Sequence, residues 1–274
     1  MEINWFPGHM AKSMREIENN LAVADCVLYV LDARAVRSCF NPVFDKMLKI
    51  PIVYVINKSD TVSEAVVKDW LEKLPQSVAV EGTNASACKK RVLAAIKRVC
   101  AEVTEKQRKR GLNEHIRAVV LGVPNTGKST VINSLCGRSS LVTGDKAGVT
   151  RSARWARVDQ KLDILDTPGT LYPKITDRRV GENLAIIGSI RDEVLDVCEL
   201  AEALISRLDD IDPSILESRY GKLPNGCGRL ESVSRRRGFL QRGGVLDTER
   251  AAAALIDDFR KGRLGKIALE YTNE

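Results

Sequence analysis

The chain has 274 residues, 44% of them hydrophobic and 29% charged, a balance that excludes a disordered or collagen-like polymer and leaves room for a sizeable core. Lysine and arginine outnumber the acids 43 to 36, for a net charge of +7. Residues 219–274 hold 12 bases against seven acids, an asymmetry that points either to a polyanionic partner for the C-terminal part or to solubility alone.

Met10 to Ala22 reads as an amphipathic helix after a Pro7-Gly8 break, and Cys26 to Leu31 as a buried strand ending in Asp32-Ala33-Arg34. A second apolar run, Ile52 to Ile56, ends in Asn57-Lys58-Ser59-Asp60. Continuous apolar strands followed by polar residues and helical stretches are what a mostly parallel sheet with helices on both faces produces. A helix containing Trp70 to Leu74, a strand at Val78 to Val80 and a helix at Val92 to Val103 follow, and the charged stretch Glu105 to Glu114 reads as a surface connection. The pattern then restarts with a strand at Ala118 to Leu121, a loop at Gly122 to Ser129 and a helix from Thr130 to Leu135. After a polar loop through Thr150, paired strands are expected near 155–158 and 162–165. Beyond Tyr172 strand signals stop, leaving a broad apolar stripe at 194–208 and an alanine-rich helix at 249–259. The expected organisation is an α/β domain over 1–175 followed by a smaller, mainly α-helical domain over 176–274.

The longest apolar run is far below the ~20 residues of a membrane span, and neither a leader pattern nor a lipidation motif is seen. A cytoplasmic location without membrane or DNA partners is therefore expected. The seven cysteines form no CxxC pair and read as reduced thiols.

Gly122-Val-Pro-Asn-Thr-Gly-Lys-Ser129 fits the phosphate-binding pattern GxxxxGK[ST] between a strand and a helix. Backbone N–H groups of such a loop, with Asn125, Thr126, Gly127 and Thr130 lining it, wrap a β-phosphate; Lys128 reaches the β and γ oxygens and the Ser129 hydroxyl ligates Mg²⁺. The base is chosen elsewhere: an ionised Asp60 accepts both donors of guanine, Asn57 can reach its acceptor edge, and the Lys58 stem can cover its plane beside Ser59. Adenine offers no such donor pair, so GTP and GDP are the expected ligands. Ser86-Ala87 would complete the guanine pocket through its backbone, with Asn84-Ala85 competing for that place. Asp166-Thr-Pro-Gly169 follows a strand, as a Mg²⁺ carboxylate acting through water and a γ-phosphate-sensing Gly169 should. Thr150 is the candidate for a second Mg²⁺ hydroxyl, or a plain loop threonine.

These pieces stand in an unusual order, with Asn57 to Asp60 ahead of the phosphate loop. Joining the old ends and opening the chain elsewhere gives the same sheet, so the domain is a circularly permuted P-loop GTPase in which the segments around Thr150 and Gly169 lead straight into the C-terminal part.

The permuted order, the opening Asn4-Trp-Phe-Pro-Gly-His-Met10, Asp32-Ala33-Arg34, Asn57 to Asp60, Gly122 to Thr130, and Gly238-Phe-Leu with Gly243-Gly244 and Asp247 together resemble the bacterial YlqF/RbgA family of circularly permuted GTPases over essentially the whole chain. The resemblance implies a cytoplasmic GTP hydrolase that binds a large ribosomal subunit precursor and its rRNA late in assembly. Asn125 is similar to the asparagine of potassium-activated GTPases, which implies a K⁺ ligand, though turn geometry alone also selects asparagine there. Thr170 and Leu171 follow Gly169, so no glutamine orients the attacking water. His9 could do so, as a catalytic residue, or could be structural. Arg235, Arg236, Arg237, Arg242, Lys261, Arg263 and Lys266 around Phe239 form an expected RNA-facing set, or a solvated helical face. The alternative function is a GTP-dependent RNA-binding module with negligible hydrolysis; a membrane or signalling GTPase is disfavoured.

Overall fold

A computed structural model describes residues 3–4, 7–137, 154–171, 174–191, 195–222 and 228–273. Its first part runs β1 (Ile3–Asn4), α1 (Pro7–Leu21), β2 (Cys26–Asp32), α2 (Pro42–Asp45), β3 (Ile52–Asn57), α3 (Glu64–Lys73), β4 (Ser77–Ala79), α4 (Ala85–Val99), α5 (Ala101–Lys109), β5 (Ile116–Leu121) and α6 (Lys128–Cys136). The second runs β6 (Arg154–Asp159), β7 (Leu162–Asp166), β8 (Lys174–Ile175), α7 (Arg178–Ile186), α8 (Val197–Ile211), α9 (Ser214–Tyr220), α10 (Arg229–Arg237) and α11 (Thr248–Arg260).

Six strands make one sheet in the order β4-β3-β2-β5-β7-β6, parallel throughout except for β6, which returns antiparallel to β7. All seven residues of β2 are buried, and they alternate between two cores. Cys26, Leu28 and Val30 join Val92, Ile96 and Ile132 of α4 and α6 on one face, whereas Val27, Tyr29 and Leu31 join the other. Burial on both faces is why these strands read as continuous apolar runs rather than as alternating ones. The second core continues from the sheet into Leu184, Leu204, Leu255 and Phe259, so apolar side chains of both halves of the chain share it. Chain order reverses between β2 and β5, which leaves a crevice at the carboxyl ends of the strands, the place where open parallel sheets bind ligands.

The elements depart from the sequence expectation in four places. Pro7 and Gly8 open α1 rather than precede it, because proline fits the first helical position, where its missing N–H has no partner to lose. The helix expected from Val92 starts at Ala85 under an Asn84 cap and gives way at Cys100 to α5. Residues 105–109, read as connection, are helical without a buried residue, held instead by pairs such as Arg108 with Glu105. Finally β8 lies beyond Tyr172 and pairs antiparallel with β1, a two-residue ladder too short to carry a period.

The segment after α11 returns to the sheet. Ile267 N–H donates to Thr61 O (3.0 Å) and Leu269 N–H to Arg34 O (2.7 Å). The buried Glu270 carboxylate accepts from Asn183 Nδ2 at 2.9 Å, from Ser38 N–H at 3.0 Å and from the Ser38 hydroxyl. A buried carboxylate is tolerated when donors surround it in this way.

Candidate nucleotide site

Four strand ends meet at the crevice: Asp32 to Arg34 after β2, Asn57 to Asp60 after β3, the Gly122–Ser129 loop after β5, and Asp166 to Gly169 after β7. Lys128, at the start of α6, is buried, and its Nζ donates to Gly122 O (3.1 Å) and Val123 O (2.8 Å). Burial pushes its ammonium down to about 8, against the pull of the Asp166 carboxylate. Thr126 turns its hydroxyl inward onto Val123 O (3.1 Å). The Asp166–Gly169 segment closes on the loop. Thr170 N–H reaches Gly122 O (3.3 Å), and a Cβ on Gly169 would lie 2.7 Å from Pro124 Cα and 2.9 Å from Lys128 Nζ, so only glycine permits this approach.

Asn57 is bonded within the site. Its Nδ2 donates to Thr126 O (2.8 Å) and its Oδ1 accepts Gly82 N–H (2.9 Å), so the amide struts the loop and the end of β4 together, using one of its two Nδ2 hydrogens. Lys58 takes a left-handed backbone (φ 58°) and bridges Asn125 O (2.7 Å) and Asp32 Oδ2 (2.9 Å). Its stem lines a cleft of about 480 Å³ with Asn125, Gly127 and Thr130. Asp60 is exposed in the 3₁₀ turn Ser59–Thr61, and a neighbouring cavity of about 590 Å³ brings Ser59, Asp60, Asn84 and Ala87 together. Ser86 is exposed in the first turn of α4, and Ala87 N–H already donates to the Asn84 cap (3.3 Å). The strand-end loop itself is Val80 to Asn84, with Gly82 against Asn57, and Ser86-Ala87 follows it in the first turn of α4.

Ser129 Oγ donates to Asp166 Oδ2 (3.2 Å), which sets a hydroxyl and a carboxylate side by side, hard oxygen donors suited to Mg²⁺. Asn125, at φ 60°, donates through Nδ2 to Gly188 O (2.6 Å). Thr150 lies outside the described residues. His9 falls in the first turn of α1, and its side chain is likewise outside them.

Sequence reasoning missed what holds the site from behind. Burial pushes the Asp32 carboxyl up, but the charges of Arg34 and Lys58 overcome it and hold the group well below the usual carboxylate range. Arg34 is buried and forks onto Asp32 at 2.7 and 2.9 Å, then reaches Arg260 O (3.1 Å) at the end of α11. Arg260 in turn donates to Ala185 O (2.8 Å) and Ile186 O (3.0 Å) at the end of α7, whose next turn sends the Ser189 hydroxyl to Pro124 O (2.6 Å). An Asp-x-Arg at the carboxyl end of a wholly apolar strand was the available signal: two opposite charges there must pair or stay out of the core.

Among known proteins, residues 117–220 match the family model described as "50S ribosome-binding GTPase". The ribosome biogenesis GTPase A of Bacillus cereus is 34% identical, over 100% of this chain and 95% of its own length. That of Thermotoga maritima is 30% identical over 98% and 94%. The solved GNP-bound YlqF from T. maritima superposes with a TM-score of 0.64 at 25% identity, covering 95% of this chain and 98% of that one.

Proposed function

The chain belongs to the ribosome biogenesis GTPase A family, and on that premise we propose that it binds and hydrolyses GTP and acts in late assembly of the large ribosomal subunit, its nucleotide state setting its grip on the pre-ribosome. The observation that carries the reading is the direct bonding of Asn57 and Lys58 to the phosphate loop, which makes the guanine-selecting turn and the phosphate cradle one rigid unit.

The charged phosphates would draw Lys128 off its backbone carbonyls, and protonated Lys128 would hold the β and γ oxygens. Ser129 and Asp166, joined by Thr150, would hold Mg²⁺, whose charge offsets that on the phosphates. Asn125 would hold K⁺ at the same edge. Asp60 would pair with guanine beside the Ser59 backbone, with Ala87 or the Gly82–Asn84 loop closing the pocket. Gly169 N–H would sense the γ-phosphate, and His9 would position water. Residues 1–175 serve as the GTPase domain and 176–274 as the rRNA-binding part, in the cytoplasm. Among the described residues no helix is long and apolar enough to cross a membrane.

Sedimentation with large-subunit precursors under GTP, GDP or a non-hydrolysable analogue tests this. Co-sedimentation favoured by GTP supports it, and indifference to nucleotide overturns it. One observation favours the binding-module reading: Thr170, where a water-orienting side chain is otherwise found, is itself buried. Single-turnover hydrolysis with and without the particle, in K⁺ and in Na⁺, separates the two.

A further inference from the structure

Most of the C-terminal cations are engaged within the protein. Arg219 and Arg263 hold Asp258, Lys261 holds Asp257, Arg229 holds Asp209, and Arg236 donates to Lys222 O. Arg235, Arg237, Arg242 and Arg250 are different: all are exposed, and among the described residues none is paired with a carboxylate. Arg250 and Arg237 lie over the Phe239 ring, 4.4 and 5.4 Å from its centre, which orients two planar guanidinium groups without neutralising them. Glu249, next to Arg250 in sequence, also acts on the Cys198 thiol of α8.

From this cationic collar projects a hairpin. Leu240 bridges Leu246, Gln241 N–H donates to Val245 O (2.8 Å), and Gly244 N–H closes a turn onto Gln241 O (3.1 Å). Gly243 and Gly244 both sit at positive φ (85° and 78°), as so tight a turn demands. The base is pinned by the buried Ser234, whose hydroxyl lies 2.9 Å from Phe239 O and 3.1 Å from Asp247 O. The tip carries two of the most exposed large apolar side chains among the described residues, Leu240 at 55% and Val245 at 62%. The 240–246 register puts them on opposite faces of the ribbon. A flat protein partner would cover one face; a thin ribbon with an apolar side chain on each face, collared by exposed guanidinium groups, suits insertion between stacked planes flanked by phosphates.

We propose that the hairpin 240–246 is an RNA-reading wedge: Leu240 and Val245 pack against unpaired bases while Arg235, Arg237, Arg242 and Arg250 hold the surrounding phosphates. The wedge rests on the reading of the C-terminal part as rRNA-binding and specifies single-stranded or looped RNA as its ligand. The probes are a stem-loop RNA and a fully paired duplex of equal length, titrated at several salt concentrations. The Leu240→Ser/Val245→Ser variant should lose about tenfold in affinity for the stem-loop and nothing for the duplex. Arg235→Glu/Arg242→Glu should weaken both and flatten the salt dependence. In Leu240→Trp, emission should be quenched by the stem-loop but not by the duplex. Equal stem-loop affinity for the serine variant and the parent, or no quenching, overturns the wedge while leaving the arginine result to stand for RNA binding. Failure of the parent to bind either RNA removes the underlying reading instead. Loss of binding to precursor particles alone, with naked RNA unaffected, assigns the tip to a protein and overturns the proposal. Leu240 and Val245 are more than half exposed, so circular dichroism and basal GTP hydrolysis should be unchanged in the serine variant.

Discussion

Asp60 and Lys128 illustrate two ways in which one side chain answers for a function. Asp60 is exposed, so if it pairs with guanine as proposed, Asp60→Asn should leave folding intact and move base preference from guanine to xanthine, whose oxygen replaces the amine that donates to the carboxylate. Competition of xanthosine and guanosine diphosphates for the variant measures this, and retained guanine preference would count against the assignment. Lys128 is buried before any phosphate arrives. Its folded value of about 8 lies below the ordinary 10.5, so the buried charge costs stability, fully below pH 8 and vanishing as pH rises past 10.5. Lys128→Met should therefore abolish nucleotide binding yet raise the melting temperature of the nucleotide-free protein by several degrees at pH 7, with the gain fading at high pH. Both residues could be singled out in the sequence because a spacing pattern announces them. The bracing of the loop by Asn57 was not legible, since no spacing tells that an amide holds the loop beside it. Arg34 and Arg260 answer each other across more than 220 residues, a pairing that local pattern cannot carry.

At the scale of elements, long or wholly buried pieces were readable, and pieces stabilised by pairing or capping were not. The strands β2, β3 and β5 declare themselves by unbroken apolar runs. The β1–β8 ladder has two residues a side and exists only because distant segments meet. In the C-terminal part, α9 and α11 are joined by Asp258, which accepts from Arg219 Nε (2.9 Å), the Tyr220 hydroxyl (3.0 Å) and Arg263 Nη1 (2.8 Å). Burial raises this carboxyl, but the three donors prevail and bring it to about 2, below its ordinary 3.8. The stabilisation is present above pH 3.8 and is lost as pH falls toward 2. Asp258→Asn should lower stability by about 2 kcal/mol at neutral pH and flatten the acid limb of the stability profile. Denaturant melts at pH 7 and pH 3 check this: the gap between the variant and the parent should narrow at the lower pH.

For the whole molecule, the contacts behind the phosphate loop decide whether nucleotide can move the C-terminal part. Asn125 and Pro124 bond to Gly188 and Ser189 just past α7, and Arg260 ties the ends of α7 and α11 to each other. If GTP and GDP set the loop differently, those bonds transmit a coupling of ~1 to 3 kcal/mol. Ser189→Ala should leave nucleotide affinity of the free protein within about threefold of the parent and reduce the GTP-over-GDP preference of particle binding; an undiminished preference would place the coupling elsewhere. The strap over residues 267–270 has a separate bearing, on the order in which the site comes into being. Glu270 bonds to Ser38 across 232 positions of chain, and Leu269 to the Arg34 carbonyl. During synthesis the strands that frame the phosphate cradle can pair long before this strap has left the exit tunnel. Nascent chains arrested short of residue 270 should thus hold nucleotide loosely and tighten on it only when the strap emerges, so that competence for GTP waits on the strap and not on the strands.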